Sequence, residues 1–186
     1  RLGDKESTQI VCNAAWNQIE LAEITDLESV VKIINACAAD LIRKNIFQWS
    51  EKYPSRDIFK NDIESNVLYV FKDKSKIIGC IALCSNKDLE YKDVKWLTED
   101  NKNLYIHRLA VDPKFQKKGV GKSLMDFAEK YAKENEFNSI RLDTFSQNKR
   151  NNKFYKSRHY VQLCDVFFPM QSQFPFHCYE KIILKP

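Results

Sequence analysis

The chain has 186 residues, 44% of them apolar and 30% charged, which is typical of a soluble globular protein with a substantial core. Its net charge of +5 is mild and its basic residues are not gathered into one run, so a nucleic-acid-binding arm is not indicated. No apolar run reaches the length of a membrane span, and we expect a cytoplasmic protein with no membrane or nucleic-acid partner.

The chain contains six cysteines and three histidines, and neither set has the spacing of a metal site. No two cysteines form a C-x-x-C pair, and most lie in apolar stretches, as reduced and buried thiols do. We therefore expect no metal. We expect one domain over residues 1–186, in which residues 1–15 form a flexible N-terminal extension.

The chain begins with a short strand and a long helix. The strand is predicted over residues 18–23, and Thr25 and Glu28 have the spacing of a capping box in which Thr25 is the N-cap. Apolar residues at helical spacing then predict a helix over residues 26–44.

A second helix and a hairpin follow an aromatic-rich loop. Ser55 is predicted to cap a short helix over residues 56–64. Two apolar runs, 67–71 and 77–84, are joined by a short polar segment and predict an antiparallel hairpin. Residues 86–102 are polar and are predicted to be a loop.

The stretch over residues 103–135 organises the rest of the chain. An apolar strand ends at Asp112-Pro113, a lysine-rich loop with Gly119 and Gly121 follows, and a helix then begins. A helix N-terminus offers unpaired N–H groups and the positive end of the macrodipole, and glycines let the backbone approach a ligand closely. This stretch is therefore predicted to bind a pyrophosphate-like anion.

The elements after this stretch complete a mixed sheet. A strand over residues 139–143 is expected to lie parallel to the central strand, because a helix connects the two. A short helix over residues 150–157 and two terminal strands, 160–168 and 178–184, follow. The order of elements predicts an α/β protein whose sheet is packed by helices.

One interpretation of the glycine loop is a nucleotide-binding P-loop. Gly121-Lys122-Ser123 fits the end of the pattern G-x-x-x-x-G-K-[ST], but Gln116 stands where the first glycine is required. That glycine makes the tight turn off the strand, which glutamine cannot readily make. A P-loop nucleotide hydrolase is therefore the less favoured interpretation.

A second interpretation accounts for more of the chain. The sequence L-A-V-D-P over residues 109–113, followed by Gln116, Gly119 and Gly121, resembles the acetyl-CoA pyrophosphate loop, Q/R-x-x-G-x-G/A, of the GNAT superfamily of N-acetyltransferases.

A second motif of the same family lies at the expected distance. Asn148, Asn151 and Tyr155 lie in a segment that resembles N-x-x-A-x-x-x-Y-x-x-x-G-F. The departures are Asn151 in place of Ala, His159 in place of Gly and Tyr160 in place of Phe. The resemblance rests on these two motifs, in this order, and on the order of the elements.

The resemblance implies the α/β GNAT fold, in which helices cover both faces of a mixed, mostly antiparallel central sheet with one splayed pair of parallel strands. It implies transfer of acetyl from acetyl-CoA to a primary amine by direct attack in a ternary complex. The acceptor is expected to be a small-molecule amine or a peptide amine, and the protein a monomer or a homodimer. A non-catalytic acyl-CoA-binding module of the same fold is an alternative.

The resemblance also implies which residues hold acetyl-CoA. Backbone groups of the central strand pair with the pantetheine arm, N–H groups of the glycine loop hold the pyrophosphate, and two asparagines contact the cofactor from the other side. These residues are Leu109, Val111, Gln116, Lys117, Lys118, Gly119, Val120, Gly121, Lys122, Ser123, Asn148 and Asn151.

Three residues are candidates for proton transfer. By the resemblance Tyr155 lies near the sulfur, where a phenol can protonate the leaving thiolate. Asp143, at the end of the neighbouring strand, is the first candidate for general base. The second is His107, two residues before Leu109 and expected on the same strand face. The structural alternatives are a packed aromatic for Tyr155, a turn cap for Asp143 and a half-buried histidine for His107.

By the resemblance, two segments form one wall of the acceptor groove and the last hairpin forms the opposite wall. Aromatic residues in these walls would hold an apolar or cationic amine, although any single one is more often a core or loop anchor. The candidates are Phe47, Trp49, Tyr53, Tyr91, Trp96, Phe174, Phe176 and Tyr179, together with Gln48.

Overall fold

The computed structural model describes residues 18–50 and 52–183. The strands are β1 (Ile19–Leu21), β2 (Leu68–Asp73), β3 (Lys76–Cys84), β4 (Asn103–Val111), β5 (Ser139–Phe145), β6 (Val161–Val166) and β7 (Phe176–Ile182). The helices are α1 (Leu27–Arg43), α2 (Arg56–Glu64), α3 (Val120–Glu134) and α4 (Lys149–Ser157). The extension proposed over residues 1–15 lies outside the described residues.

The seven strands form one mixed sheet in the order β1-β2-β3-β4-β5-β7-β6. β4 and β5 are parallel and are connected by α3, whereas the other neighbouring strands are antiparallel. The predicted fold class, with its single parallel pair, is therefore confirmed. No helix in the described ranges is both long and apolar enough to cross a membrane.

Helices cover both faces of the sheet, and the alternation of side chains along the strands explains how. Cys80 and Ile81 are consecutive in β3 and fully buried, and they belong to separate apolar clusters. The Ile81 cluster contains the apolar face of α3, and the Cys80 cluster contains those of α1 and α2. Gly79 lets α3 lie close, because a Cβ there would stand 3.1 Å from Cδ1 of Leu124.

The start of the first helix differs from the prediction. A 3₁₀ turn over Ile24–Asp26 precedes α1, and Glu23 takes the N-cap position. The Asp26 carboxylate accepts a hydrogen bond from the Glu23 N–H at 2.9 Å. The prediction of Thr25 as N-cap is therefore wrong. The Asp26 carboxylate binds the N–H of Glu23, so the helical segment begins with an N-cap two residues before Thr25.

A buried ion pair fixes the segment between β3 and β4. Arg141 and Glu180 are both fully buried, and their Nε and Oε1 atoms lie 3.0 Å apart. The Thr98 hydroxyl donates to the same carboxylate at 2.5 Å, and the Arg141 guanidinium lies 4.7 Å from the Trp96 ring centre. The predicted loop over residues 86–102 is therefore attached to β5 and β7 along its second half.

We expect Glu180→Gln to lower the free energy of unfolding by about 3 kcal/mol, because it leaves Arg141 buried without its buried counter-charge. Urea unfolding followed by circular dichroism measures this loss. The matched control is Glu134→Gln, which removes an exposed partner of Lys130 and should cost less than about 0.5 kcal/mol. Equal losses in the two variants would contradict the proposed role of the buried pair.

Candidate active site

The central strand carries a β-bulge at Arg108. Cys80 of β3 lies opposite Ala110, and Ala82 lies opposite His107, so three steps along β4 match two along β3. Arg108 has a φ of 52°, a left-handed conformation that is uncommon for a residue with a side chain. One extra residue is thereby inserted into β4.

The bulge reverses the side on which β4 side chains point. Ile106 and Leu109 both pack against the cluster on the α3 face, although they lie three positions apart in the strand. His107 instead points to the other face, where its ring stacks on Tyr91 with centroids 6.5 Å apart. The prediction that His107 and Leu109 share a face is therefore wrong, because it assumed regular alternation.

The parallel strands β4 and β5 diverge beyond the middle of their length. Their pairing runs from Asn103 opposite Ser139 to Tyr105 opposite Arg141 and then stops, although β4 continues to Val111. The splayed parallel pair that the resemblance implied is therefore present. Two cavities open at the gap between the strands.

The larger cavity is a groove of about 520 Å³, the donor groove, beside the start of α3. Nine of the predicted cofactor residues line it, namely Leu109, Val111, Gln116, Lys117, Gly119, Gly121, Lys122, Asn148 and Asn151. Lys118, Val120 and Ser123 do not line it. The Val120 side chain is buried in the core, so only its backbone can contact a ligand in the groove.

The glycine loop has the geometry of an anion site. Gly119 is the N-cap of α3 with a φ of 85°, and the first helical turn leaves the N–H groups of residues 120–122 without acceptors in the helix. The N–H of Ser123 donates to the Gly119 carbonyl at 2.9 Å. Ser123 was predicted to offer its N–H to the pyrophosphate, and in the structure that N–H closes the first turn of the helix.

Lys122 does not behave as the lysine of a P-loop. Its ammonium lies 2.7 Å from the Asp126 carboxylate, one turn further along α3, and its side chain is largely exposed. The surrounding sheet is mostly antiparallel. Both observations count against the nucleotide-hydrolase interpretation.

Side chains brace the groove floor at Val111. Its carbonyl accepts hydrogen bonds from the Cys37 thiol and the Gln116 amide, each at 3.2 Å. The Gln116 side-chain oxygen in turn accepts from Arg150 at 2.8 Å. A ligand amide that donates to the Val111 carbonyl must therefore share this acceptor with the Cys37 and Gln116 side chains. Arg150, which the sequence analysis missed, adds a cation to the groove.

The two asparagines of the second motif shape the start of α4. Asn148 is the N-cap, and its side-chain oxygen accepts from the Asn151 N–H at 3.1 Å. Its amide donates to Gln48 at 3.3 Å, which ties α4 to the loop after α1. Asn148 therefore has a structural role beside its place in the groove wall.

The smaller cavity, the acceptor pocket, has a volume of about 80 Å³. Leu109, Asn151, Tyr155, Gln48 and Trp49 line both this pocket and the donor groove. The two cavities are therefore neighbours at the point where β4 and β5 diverge.

Tyr155 lies between the cavities and is 5% exposed. Its ring packs against those of Tyr160 and Tyr179, with centroids 6.0 and 5.9 Å away. Burial raises the pKa of the Tyr155 hydroxyl well above its usual value, so it is protonated at neutral pH.

Asp143 lines the acceptor pocket, and its carboxylate accepts a hydrogen bond from the hydroxyl of the buried Tyr91. Burial, together with the neighbouring carboxylates of Asp88 and Glu90, raises the pKa of Asp143 to about 7. Burial and the Arg108 charge instead lower the pKa of His107 to about 3, so it is a weak base. The pKa values therefore favour Asp143 over His107 as general base.

The walls of the acceptor pocket only partly match the prediction. Trp49, Tyr53 and Phe176 line it together with Gln48, whereas Phe47, Tyr91, Trp96, Phe174 and Tyr179 do not. Sequence reasoning missed Asp88, Arg108, Thr144, Phe168 and Gln171. No local pattern marks these residues, because they come from four separate segments.

Comparisons with known proteins agree with this geometry. A family model described as the acetyltransferase (GNAT) family matches residues 31–160, which is more than half of the chain. The chain is 27% identical over 138 residues to a Bacillus subtilis (strain 168) protein named uncharacterized N-acetyltransferase YesJ, covering 73% of this chain and 76% of that one.

Two solved structures share the fold. A GNAT-family acetyltransferase from Streptococcus agalactiae 2603 has a TM-score of 0.76 at 20% identity, covering 90% of this chain and 96% of that one. The PaiA N-acetyltransferase from Thermoplasma acidophilum, solved in complex with coenzyme A, has a TM-score of 0.63 at 22% identity, covering 88% and 97%.

We expect Gly119→Ala to weaken acetyl-CoA binding by at least about tenfold in calorimetric titration, because its φ of 85° at the helix N-cap favours glycine and an alanine would shift the N–H groups of the loop. The same substitution should cost about 1 kcal/mol of stability. Gly121→Ala is the matched control, because the family pattern accepts alanine at this position and the new Cβ meets only Cγ2 of Val111, at 3.7 Å. Unchanged binding by Gly119→Ala would contradict the assignment.

We expect Tyr91→Phe to raise the pKa of Asp143 above its value of about 7, because the carboxylate loses the hydroxyl that stabilises its charged form. Carbon-detected NMR titration of the aspartate carboxyls measures this shift, with the Asp143→Asn spectrum giving the assignment. Tyr69→Phe, in the aromatic cluster beside Phe127, should leave the titration unchanged. An unchanged or lowered pKa in Tyr91→Phe would show that the hydrogen bond does not set it.

Proposed function

The chain belongs to the GNAT family of acetyltransferases, and we propose that it moves acetyl from acetyl-CoA to a primary amine by direct attack in a ternary complex. One observation carries the proposal: the donor groove and the acceptor pocket adjoin where β4 and β5 diverge, and Leu109 and Tyr155 line both. Two reactants held in neighbouring cavities gain much of their rate from proximity.

The donor groove suits the phosphates and the arm of acetyl-CoA. The N–H groups of residues 120–122 and the cations of Lys117 and Arg150 favour the pyrophosphate. The pantetheine arm would lie along the gap beside β4, where the backbone near Leu109 can stabilise the developing oxyanion.

Asp143 supplies the proton acceptor. An aliphatic amine is an ammonium ion at neutral pH and must lose a proton before its nitrogen can attack the thioester carbon. With a pKa of about 7, Asp143 is ionised in a large fraction of molecules at neutral pH and can accept that proton, directly or through water. The same pKa allows it to release the proton again.

Tyr155 gives its hydroxyl proton to the sulfur as the carbon–sulfur bond breaks. Because burial raises its pKa, the phenol is a weaker acid than the thiol that forms, and it cannot remain deprotonated. The proton it gives is therefore replaced by the proton that the attacking nitrogen loses when the amide forms. The products are the N-acetylated amine and the free thiol of coenzyme A.

The alternative of a non-catalytic acyl-CoA-binding module does not account for the acceptor pocket. A binding module needs the donor groove, but it has no use for a carboxyl of raised pKa beside the point where the thioester would lie. The two possibilities differ in whether thiol is released, and this is directly measurable.

We expect Asp143→Asn to lower kcat by about a hundredfold or more and Tyr155→Phe by at least about tenfold, with acetyl-CoA affinity unchanged in both. Thiol release with an accepted amine and calorimetric titration with acetyl-CoA measure the two quantities. Asp93→Asn, an exposed carboxylate outside the pocket, is the control. Full activity in both variants would remove these residues from the mechanism, and acetyl-CoA binding without thiol release from any amine would favour the binding module.

A further inference from the structure

We propose that the acceptor pocket selects a short aliphatic diamine, in which one amine reacts beside Asp143 while Asp88 holds the other as an ammonium ion. This inference rests on the proposed function and specifies its substrate class. It comes from the charges that face the pocket and from the partners that each of them has.

The acceptor pocket is acidic, although the protein as a whole has a positive net charge. The protein carries a net charge of +5, yet two carboxylates, those of Asp88 and Asp143, line a cavity of about 80 Å³. Within residues 18–50 and 52–183, neither carboxylate forms an ion pair with a lysine or an arginine. Asp143 accepts from the neutral Tyr91 hydroxyl, and Asp88 lies 3.8 Å from Nε2 of His107.

Asp88 faces the pocket, although its position before a 3₁₀ turn would allow its side chain to cap that turn. It is the N-cap of the 3₁₀ turn Leu89–Tyr91, but its side chain makes no capping hydrogen bond. The carboxylate is turned toward His107 instead, and its side chain is 41% exposed, which places it at the mouth of the pocket. An acid placed in this way can meet a cation that enters from solvent.

Among the described residues, Arg108 is the one lysine or arginine in the pocket wall, and it is already paired with a carboxylate outside that wall. The Arg108 guanidinium forms two hydrogen bonds to the Asp62 carboxylate, at 2.5 and 2.8 Å. His107 is uncharged because burial lowers its pKa to about 3. An acceptor with a carboxylate, such as a free amino acid, would therefore meet two acids and no unpaired cation.

Two stacked rings link the two carboxylates. Asp143 accepts a hydrogen bond from the hydroxyl of Tyr91, Asp88 lies beside the imidazole of His107, and these rings stack at 6.5 Å with an angle of 16°. The aromatic side chains of Trp49, Tyr53, Phe168 and Phe176 also line the pocket. An alkyl chain with a cation at each end fits a lining that combines aromatic side chains with two carboxylates.

The test uses three acceptors of equal chain length. Putrescine, n-butylamine and γ-aminobutyrate share a four-carbon chain and a primary amine, and their far ends are cationic, neutral and anionic. We expect kcat/KM to fall in that order, with putrescine at least about tenfold above n-butylamine. In Asp88→Asn the ratio of putrescine to n-butylamine should fall close to one, whereas in Asp93→Asn it should stay at the wild-type value.

Calorimetric titration of the coenzyme A complex with putrescine separates this inference from the proposed function. Putrescine that binds in an Asp88-dependent way but releases no thiol would support the diamine site and overturn the transferase function. Equal rates with putrescine and n-butylamine, or the highest rate with γ-aminobutyrate, would overturn the diamine site and leave the transferase in place. Thiol release with a peptide amine but not with putrescine would also overturn the diamine site and leave the transferase function in place. Absence of both binding and turnover with putrescine would overturn the diamine site.

Discussion

The site depends on one extra residue in the central strand. Without the bulge at Arg108, regular alternation would carry Leu109 to the face opposite Ile106 and away from the α3 cluster. A left-handed arginine costs roughly 1–3 kcal/mol, and this must be offset by surrounding contacts. The paired hydrogen bonds from Arg108 to Asp62 and the contact from the Cys80 thiol to the Arg108 carbonyl hold the bulge. The same bonds pair the Arg108 guanidinium with Asp62, although the Arg108 charge still lowers the pKa of His107.

Strand β5 carries both a residue of the buried ion pair and the proposed general base, only two positions apart. Arg141 and Asp143 are two residues apart and therefore lie on the same side of the strand. Glu180 and Asp100 engage Arg141, while the carboxyl of Asp143 keeps its raised pKa. The Arg141 guanidinium also contacts the ring of Trp96, which packs against Tyr91, and the Tyr91 hydroxyl donates to Asp143. Contacts through Trp96 and Tyr91 therefore connect the structural ion pair with the proposed base.

The sequence was sufficient for features that depend on neighbouring residues. The helix start at Gly119, the strand that leads into it and the parallel partner all follow from patterns within one segment. No residue pattern marks the position of the bulge, because it lies at an arginine and not at a glycine that would have indicated a positive φ. The contact of Tyr91 with Asp143 spans 52 residues, and no periodicity connects the two. Asp88 lacked any signal, since an acid before a 3₁₀ turn is ordinarily a cap. Local sequence patterns therefore predict the local geometry of this chain, whereas the acceptor pocket depends on tertiary contacts that these patterns do not show.

The two cavities carry opposite charge, and this bears on the whole catalytic cycle. The donor groove is lined by four cations, Lys44, Lys117, Lys122 and Arg150, and by one acid, Asp40, whereas the acceptor pocket presents two acids, Asp88 and Asp143, and one cation, Arg108. An anionic donor and a cationic acceptor are thus each attracted to a different cavity and repelled from the other. Acetylation of the proposed diamine would change this balance, because an ammonium would become a neutral amide and the product would keep only one of the two cations. The attraction to the acceptor pocket would therefore be weaker for the product than for the diamine, which would favour release of the acetylated amine.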